Sequence, residues 1–277
     1  MKKPIVIYTY DFDMGIGGIK VMHKLCHMLN ELGYESYLMP IHMTDTFQIY
    51  YDNTPLVTHE ILHDIENCIV IYPEGIQYNP LNSKNVVRWI LGPPDSDVIL
   101  TWNKSDMILW YMDYYYNESV GQRDNQMFVT ETHCDIFYNH NVKRTGSSYC
   151  VRKCKAPKFI HPDDSIFIPY HAAGNLVELA TQFNQIEKFY CYDNYTFLYV
   201  QAALCGCTSI VIPDGSKTKQ EWINGSKLNQ YGIAYGEDDI GRARETLPLL
   251  MQEIKQLDLD TEQQIHIFIN KCKELFR

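Results

Sequence analysis

Residues 192–215 read YDNYTFLYVQAALCGCTSIVIPDG, and this stretch decides the fold. The apolar run FYCYD at 189–193 leads into it. The small-residue block TFLYVQAALCGC fills its middle, and TSIVIP at 208–213 closes it. Strand, helix and strand so close together make a βαβ unit, which requires a right-handed crossover and a parallel sheet. Ligands of such sheets sit beyond the C-terminal ends of the strands, where helix N-termini turn their N–H groups outward. Asp193, Asn194, Tyr195 and Thr196 fall at that junction.

The start of the chain repeats the pattern. PIVIYTY at 4–10 reads as a buried strand, and DFDMGIGG at 11–18 as a glycine-rich loop. Ile19, Met22, Leu25, Cys26, Leu29 and Leu32 then recur at helical spacing, and Gly33 suits the stop. Residues 34–40 form the next strand. Gly15, Gly17 and Gly18 could cradle a phosphate, but their spacing is G-x-G-G and not the dinucleotide G-x-G-x-x-G. Asp11 and Asp13 would also repel a pyrophosphate placed there. The strand ESYLMP ends without the acid that holds a ribose, so a nicotinamide cofactor is disfavoured.

Further strands are expected at NCIVIY (67–72), VVRWIL (86–91) and MFVTE (127–131). Tyr111, Tyr114, Tyr115 and Tyr116 read first as a half-buried aromatic edge, and second as a sugar-stacking or membrane-interface surface. The polar segment 132–148 reads as a linker. The strand after it ends in Arg152, Lys153, Lys155 and Lys158, an unusual basic cluster in a chain of net charge −10. SIFIPY (165–170) with His171 behind it, an amphipathic helix from Leu176 to Ile186, and the strand GIAYG (232–236) complete the second half. Residues 240–256 read as helix in two pieces, with Pro248 opening the second. Ile265, Phe268, Ile269, Cys272, Leu275 and Phe276 mark the apolar face of a last helix.

A chain of 277 residues accommodates two modest domains. The acidic balance argues against a nucleic-acid binder. A spanning helix needs about 20 apolar residues in a row, and no run comes near that. The N-terminus runs straight into a strand, so no signal peptide is expected. The 9 cysteines follow no regular framework, which suggests reduced thiols and a cytosolic home. Cys150-x3-Cys154 and Cys205-Gly-Cys207 lack the usual metal-pair spacing, and they read as small core hydrophobes with no metal.

From Asp193 an acid is followed, after seven residues, by Gln201, then by ALCGC and the strand IVIP. This resembles the donor-binding signature of GT-B glycosyltransferases, with Gln201 where the family carries a second acid. The basic strand end at 152–158 is similar to the family's diphosphate-binding strand. The first glycine-rich loop looks like its acceptor-facing loop. YDNYT, ALCGC and YGIAYG are also similar to proteins of bacterial surface-polysaccharide clusters.

The resemblance implies two Rossmann-like domains facing each other across a cleft. Residues 1–145 would face the acceptor and 146–277 would hold the nucleotide-sugar. The last helix, about 261–276, would pack back toward the first domain. It implies metal-independent transfer of a sugar to a glycan or glycolipid hydroxyl, with no cofactor beyond the donor. Site residues carried over are Gly17, Gly18, Arg152, Lys153, Lys158, His171, Asp193, Asn194, Tyr195, Thr196 and Gln201 for the donor. For the acceptor-side base, if the transfer inverts, Asp13 comes first, then Glu131 and His133. Asp13 could equally be a helix cap. A cytoplasmic location, with peripheral contact at the inner membrane face, accompanies this reading. The alternatives are a non-catalytic sugar-nucleotide-binding or assembly subunit, and a transferase of another nucleotide-activated group.

Overall fold

A computed structural model describes residues 3–42, 46–112, 115–121, 124–129, 132–152, 154, 158–169, 172 and 174–276, the Asp258 side chain excepted. The chain divides into two compact units, Met1–Glu131 with Asp258–Arg277, and Thr132–Leu257.

Unit 1 holds β1 (Ile5–Thr9), α1 (Gly17–Glu31), β2 (Ser36–Pro40), α2 (His59–His63), β3 (Ile69–Pro73), β4 (Asn85–Ile90), α3 (Ser96–Ile99) and β5 (Met107–Trp110). Its sheet runs β2-β1-β3-β4-β5, every pair parallel. Both faces are covered, which explains strands that are apolar throughout. Ile5 and Ile7 face α1, while Val6 turns to the opposite layer with Val70 and Tyr72.

Unit 2 holds β6 (Ser147–Cys150), β7 (Ile166–Phe167), α4 (Leu176–Gln185), β8 (Lys188–Cys191), α5 (Leu198–Leu204), β9 (Thr208–Val211), α6 (Lys219–Asn224) and β10 (Ile233–Tyr235). Its sheet runs β10-β9-β8-β6-β7, again all parallel. Numbered within each sheet, both units show one strand order, 2-1-3-4-5. That order places a topological switch point between the first and third strands, β1/β3 in one unit and β6/β8 in the other. The Cys-Gly-Cys turn needs its glycine: Gly206 has φ +90°, and a Cβ there would lie 2.7 Å from the Arg144 guanidinium.

Four expectations are corrected. Residues 132–145 are not a free linker. His140 N–H donates to Asn184 Oδ1 at 2.8 Å, Asn184 Nδ2 to Tyr138 O at 3.0 Å, and Arg144 to Cys205 O at 2.5 Å. The boundary therefore falls at 131/132, ahead of 145/146. At 127–129 there is no strand; the pairing with β5 is an isolated bridge from Gln126 to Trp110. The two pieces expected within 240–256, and the separate last helix, form one helix, α7 (Ile240–Leu275), with Pro248 inside it. Proline removes one intrahelical N–H, while Leu250, Ile254 and Leu257 stay buried on either side of the next turns. Asp13 is no helix cap, since Ile16 holds that position without a side-chain bond.

Within unit 1, Ile265, Phe268, Ile269 and Cys272 of α7 join the core formed by Val21, Leu25 and Leu29 of α1. Tyr111, Tyr115 and Tyr116 are half-buried, with Tyr116 edge-on to Trp110 at 5.2 Å; Tyr114 lies outside the described residues. No described helix is long and apolar enough to cross a membrane.

Candidate functional site

Each switch point carries a cluster of polar residues. In unit 2, Asp193 follows β8 and is 2% exposed. Its Oδ2 accepts from Arg152 N at 2.9 Å and its Oδ1 from Cys154 N at 3.1 Å. The carboxylate thus fastens the loop leaving β6 to the end of β8. The Arg152 backbone is fixed by this clamp, so its half-buried side chain starts from the switch-point crevice.

Asn194 is also buried. Its carbonyl accepts from Trp222 Nε1 at 2.9 Å, and its side chain bonds Asp214. Asn194 Oδ1 is buried and has no hydrogen-bond partner among the described residues. Asp214 follows β9. Burial pushes its pKa up, but hydrogen bonds from Ser216 N (2.9 Å), Ser216 Oγ (2.6 Å) and Asn194 outweigh that and hold it below the ordinary value. Lys217 stands next in the loop, its Nζ 5.1 Å from the centre of the Tyr195 ring. Burial lowers its pKa, against the opposing pull of Glu221 and Asp214. An ammonium that is partly desolvated and faces an aromatic ring is poised for an anion.

The remaining expected donor residues spread further. Thr196 Oγ1 accepts a long bond from Leu198 N, 3.4 Å. Gln201 is buried within α5. Lys158 is exposed. Lys153 and His171 lie outside the described residues. Gly17 and Gly18 belong to unit 1 and not to the unit that holds Asp193.

Cys150 and Cys191 pair across β6 and β8 with Sγ atoms 3.5 Å apart. Together with Asp193 they place ligand atoms within 4.8 Å of one another, a set that could hold a metal. Burial drives the Cys191 thiol far up, and both Asp193 oxygens already hold amides. The two thiols and the carboxylate thus share one buried spot at the ends of β6 and β8.

In unit 1 the switch point opens into a cavity of about 580 Å³. Asp11 and Asp13 enter it from the loop after β1, His42 from the end of β2, and Glu74 from the end of β3. Ile16, Ile19, Met22, Ile76 and Leu91 supply apolar walls. Asp13 Oδ1 accepts from Gly15 N at 2.7 Å, closing a local turn. Asp11 Oδ1 accepts from Gln48 N at 2.8 Å. Glu74 Oε2 accepts from Leu91 N at 3.1 Å. Burial raises the Glu74 pKa, and the amides of Glu74 and Leu91 only partly offset it. A Cβ on Gly92 would sit 2.9 Å from Glu74 Oε1, so the bare glycine admits the carboxylate.

His23 supports this loop from behind. It is fully buried, and its Nε2 lies 2.9 Å from the Tyr10 carbonyl oxygen, so the proton sits on Nε2. Burial lowers its pKa and keeps the ring neutral. Of the other two expected bases, Glu131 lies outside the described residues. His133 belongs to unit 2, where its carbonyl starts a turn by accepting from Ile136 N and Phe137 N. Glu74, His23, Asp214 and Lys217 are additions to the sequence reading. Glu74 and Asp214 had a signal, since each directly follows an apolar strand run.

No family model and no curated protein matches the sequence. The fold is similar to that of a solved structure, a glycosyltransferase from Rickettsia africae ESF-5. The TM-score is 0.52 at 8% identity, with 100% of each chain covered. The chain therefore shares the two-sheet α/β architecture of that glycosyltransferase.

Proposed function

We propose that this chain is a glycosyltransferase that moves a sugar from a nucleotide-sugar to a hydroxyl of a glycan or glycolipid acceptor. The observation that carries the reading is the fold likeness over the full length of both chains. In this reading the units face each other in a GT-B arrangement, unit 1 toward the acceptor and unit 2 holding the donor. The reaction needs no metal. Arg152, Lys153 and Lys217 offset the charge growing on the departing nucleoside diphosphate, as preorganised cations do in a transition state. Asn194 Oδ1 receives a donor hydroxyl, since an amide oxygen buried without a partner lacks one bond. Asp193 serves by position, holding the loop of Arg152. Asp13 remains the first candidate for a base in an inverting transfer. The setting is synthesis of a bacterial surface polysaccharide, in the cytoplasm or at the inner membrane face.

The test is release of nucleoside diphosphate from a panel of UDP-, GDP-, dTDP- and ADP-sugars. Consumption of at least one, lost in Lys217→Ala, supports the reading. A panel in which nothing is bound or consumed refutes it. Gln201 in place of an acid favours a second reading, a binding subunit without turnover. Tight binding of a sugar nucleotide with no consumption identifies that case.

A further inference from the structure

The unit 1 cavity has a composition that selects its ligand by charge. Its walls are the apolar side chains of Ile16, Ile19, Met22, Ile76 and Leu91. Its polar rim is acidic: Asp11, Asp13 and Glu74. Among the described residues, no lysine or arginine lines it. His42 and Tyr10 are the other titratable groups there.

Each of the three carboxylates already holds a backbone amide, from Gln48, Gly15 and Leu91 respectively. Each retains lone pairs to accept more, since a carboxylate offers about four acceptor sites. An apolar wall facing a rim of acceptors matches a pyranose ring, which has C–H faces and a hydroxyl edge. An anionic group would have to enter beside three carboxyl groups in a partly desolvated space, where like charges repel strongly.

We propose that this cavity takes the acceptor as an uncharged, hydroxyl-bearing sugar ring, that Glu74 receives one of its hydroxyls, and that phosphorylated or carboxylated sugars are refused. The identification of the ligand as an acceptor rests on the glycosyltransferase reading; the binding preference itself does not. Glu74 is singled out over Asp13 by its surroundings. It follows β3 at the β1/β3 switch point, partly buried, with Oε1 held against the bare Cα of Gly92, which follows β4. Asp13 is exposed on the loop and closes its own turn. In an inverting transfer, the hydroxyl oxygen would bond the anomeric carbon as its proton passes to the base, for which Asp13 on the same rim is the first candidate. The bond from that carbon to the nucleoside diphosphate would break, its electron pair leaving with the phosphate oxygen.

The experiment uses the full chain with labelled isoleucine, leucine and methionine methyl groups. Methyl β-D-glucopyranoside and methyl β-D-glucuronide are titrated at pH 8 and read by NMR; they differ only in a hydroxymethyl or a carboxylate. The neutral glycoside should shift the Ile16, Ile19, Met22 and Ile76 methyls, and the glucuronide should bind more weakly by on the order of 10-fold or more. Glu74→Gln should narrow that gap by about 3-fold or more, because it removes one of three charges at the rim. Gly92→Ala, which displaces the carboxylate and leaves its charge, should weaken the neutral glycoside while the overall methyl spectrum stays folded. No shift with the neutral glycoside up to tens of millimolar, or equal or tighter binding of the glucuronide, overturns the proposal. Glycoside binding without sugar-nucleotide consumption would overturn the transferase reading alone.

Discussion

Asp193→Asn isolates the clamp that fastens the loop after β6. Aspartate offers two acceptor oxygens, and both are used: Oδ2 by Arg152 N at 2.9 Å and Oδ1 by Cys154 N at 3.1 Å. Asparagine keeps the shape but has one oxygen, so an NH2 group must face one of the two amides. One charge-assisted bond is lost, worth about 1.5–3 kcal/mol. Protection of that amide against hydrogen exchange should fall by the same free energy, roughly 10- to 150-fold. The second amide keeps its acceptor and should change little. Asp193→Ala removes both and should deprotect both. Amide exchange by NMR, followed at Arg152 and Cys154, reads each site separately. Binding of a nucleoside diphosphate by calorimetry should weaken in step with the loosened loop. Unchanged protection of both amides in Asp193→Asn would refute the clamp, and with it the account of how Arg152 is positioned.

Other outcomes follow from single contacts. Arg88 and Asp106 form a buried pair at 2.8 Å, and Arg88 also donates to the Ile76 and Tyr78 carbonyls. Arg88→Met should cost about 3–5 kcal/mol in denaturant unfolding, whereas Arg88→Met with Asp106→Leu should recover most of it; equal losses would sink the idea. Glu74 has a raised pKa in the fold, so its share of stability is present below its ordinary value of 4.5 and is lost as pH rises through the folded value. Glu74→Gln should therefore melt at higher temperature than the parent near pH 7 and lose that advantage as pH falls to 4.5, as checked by calorimetric scans. Asp13→Asn keeps an oxygen for Gly15 N, so melting should not move, while an inverting transfer that used Asp13 would slow by about 100-fold or more; unchanged turnover would pass the base role to Glu74.

The βαβ stretch at 192–215 was legible because its apolar runs, small residues and glycine are all local signals. The same is true of PIVIYTY and of the amphipathic faces of α1 and α4. The site was less legible wherever it depends on strand order. Asp193 looked like a ligand contact, yet its partners are backbone amides 41 and 39 residues earlier in the chain, met only because β6 and β8 are neighbours. Glu74 acquires its surroundings from Leu91 and Gly92, which β4 brings alongside β3. Pro248 suggested a helix start, but the buried residues after it keep the helix continuous. Residues 132–148 looked like a linker by composition, although the His140 N–H donates to Asn184, and Arg144 donates to Asn139 Oδ1 and to the Cys205 carbonyl.

The unit 1 core has a consequence for the order in which the chain can fold during synthesis. Tyr34 bonds His266 across 232 residues, and Phe128 N–H bonds Gln264 across 136. Ile265, Phe268, Ile269 and Cys272 fill a face of that core which the first 131 residues leave open. Unit 2 is continuous in sequence and can close as soon as it leaves the ribosome. Unit 1 starts first and must wait, with Leu25 and Leu29 uncovered, until α7 arrives. Such a nascent intermediate exposes apolar surface for the whole time unit 2 is being made, which is the condition under which chaperones engage a chain. A chain stopped at residue 257 should keep the unit 2 fold and bind a hydrophobic dye through unit 1.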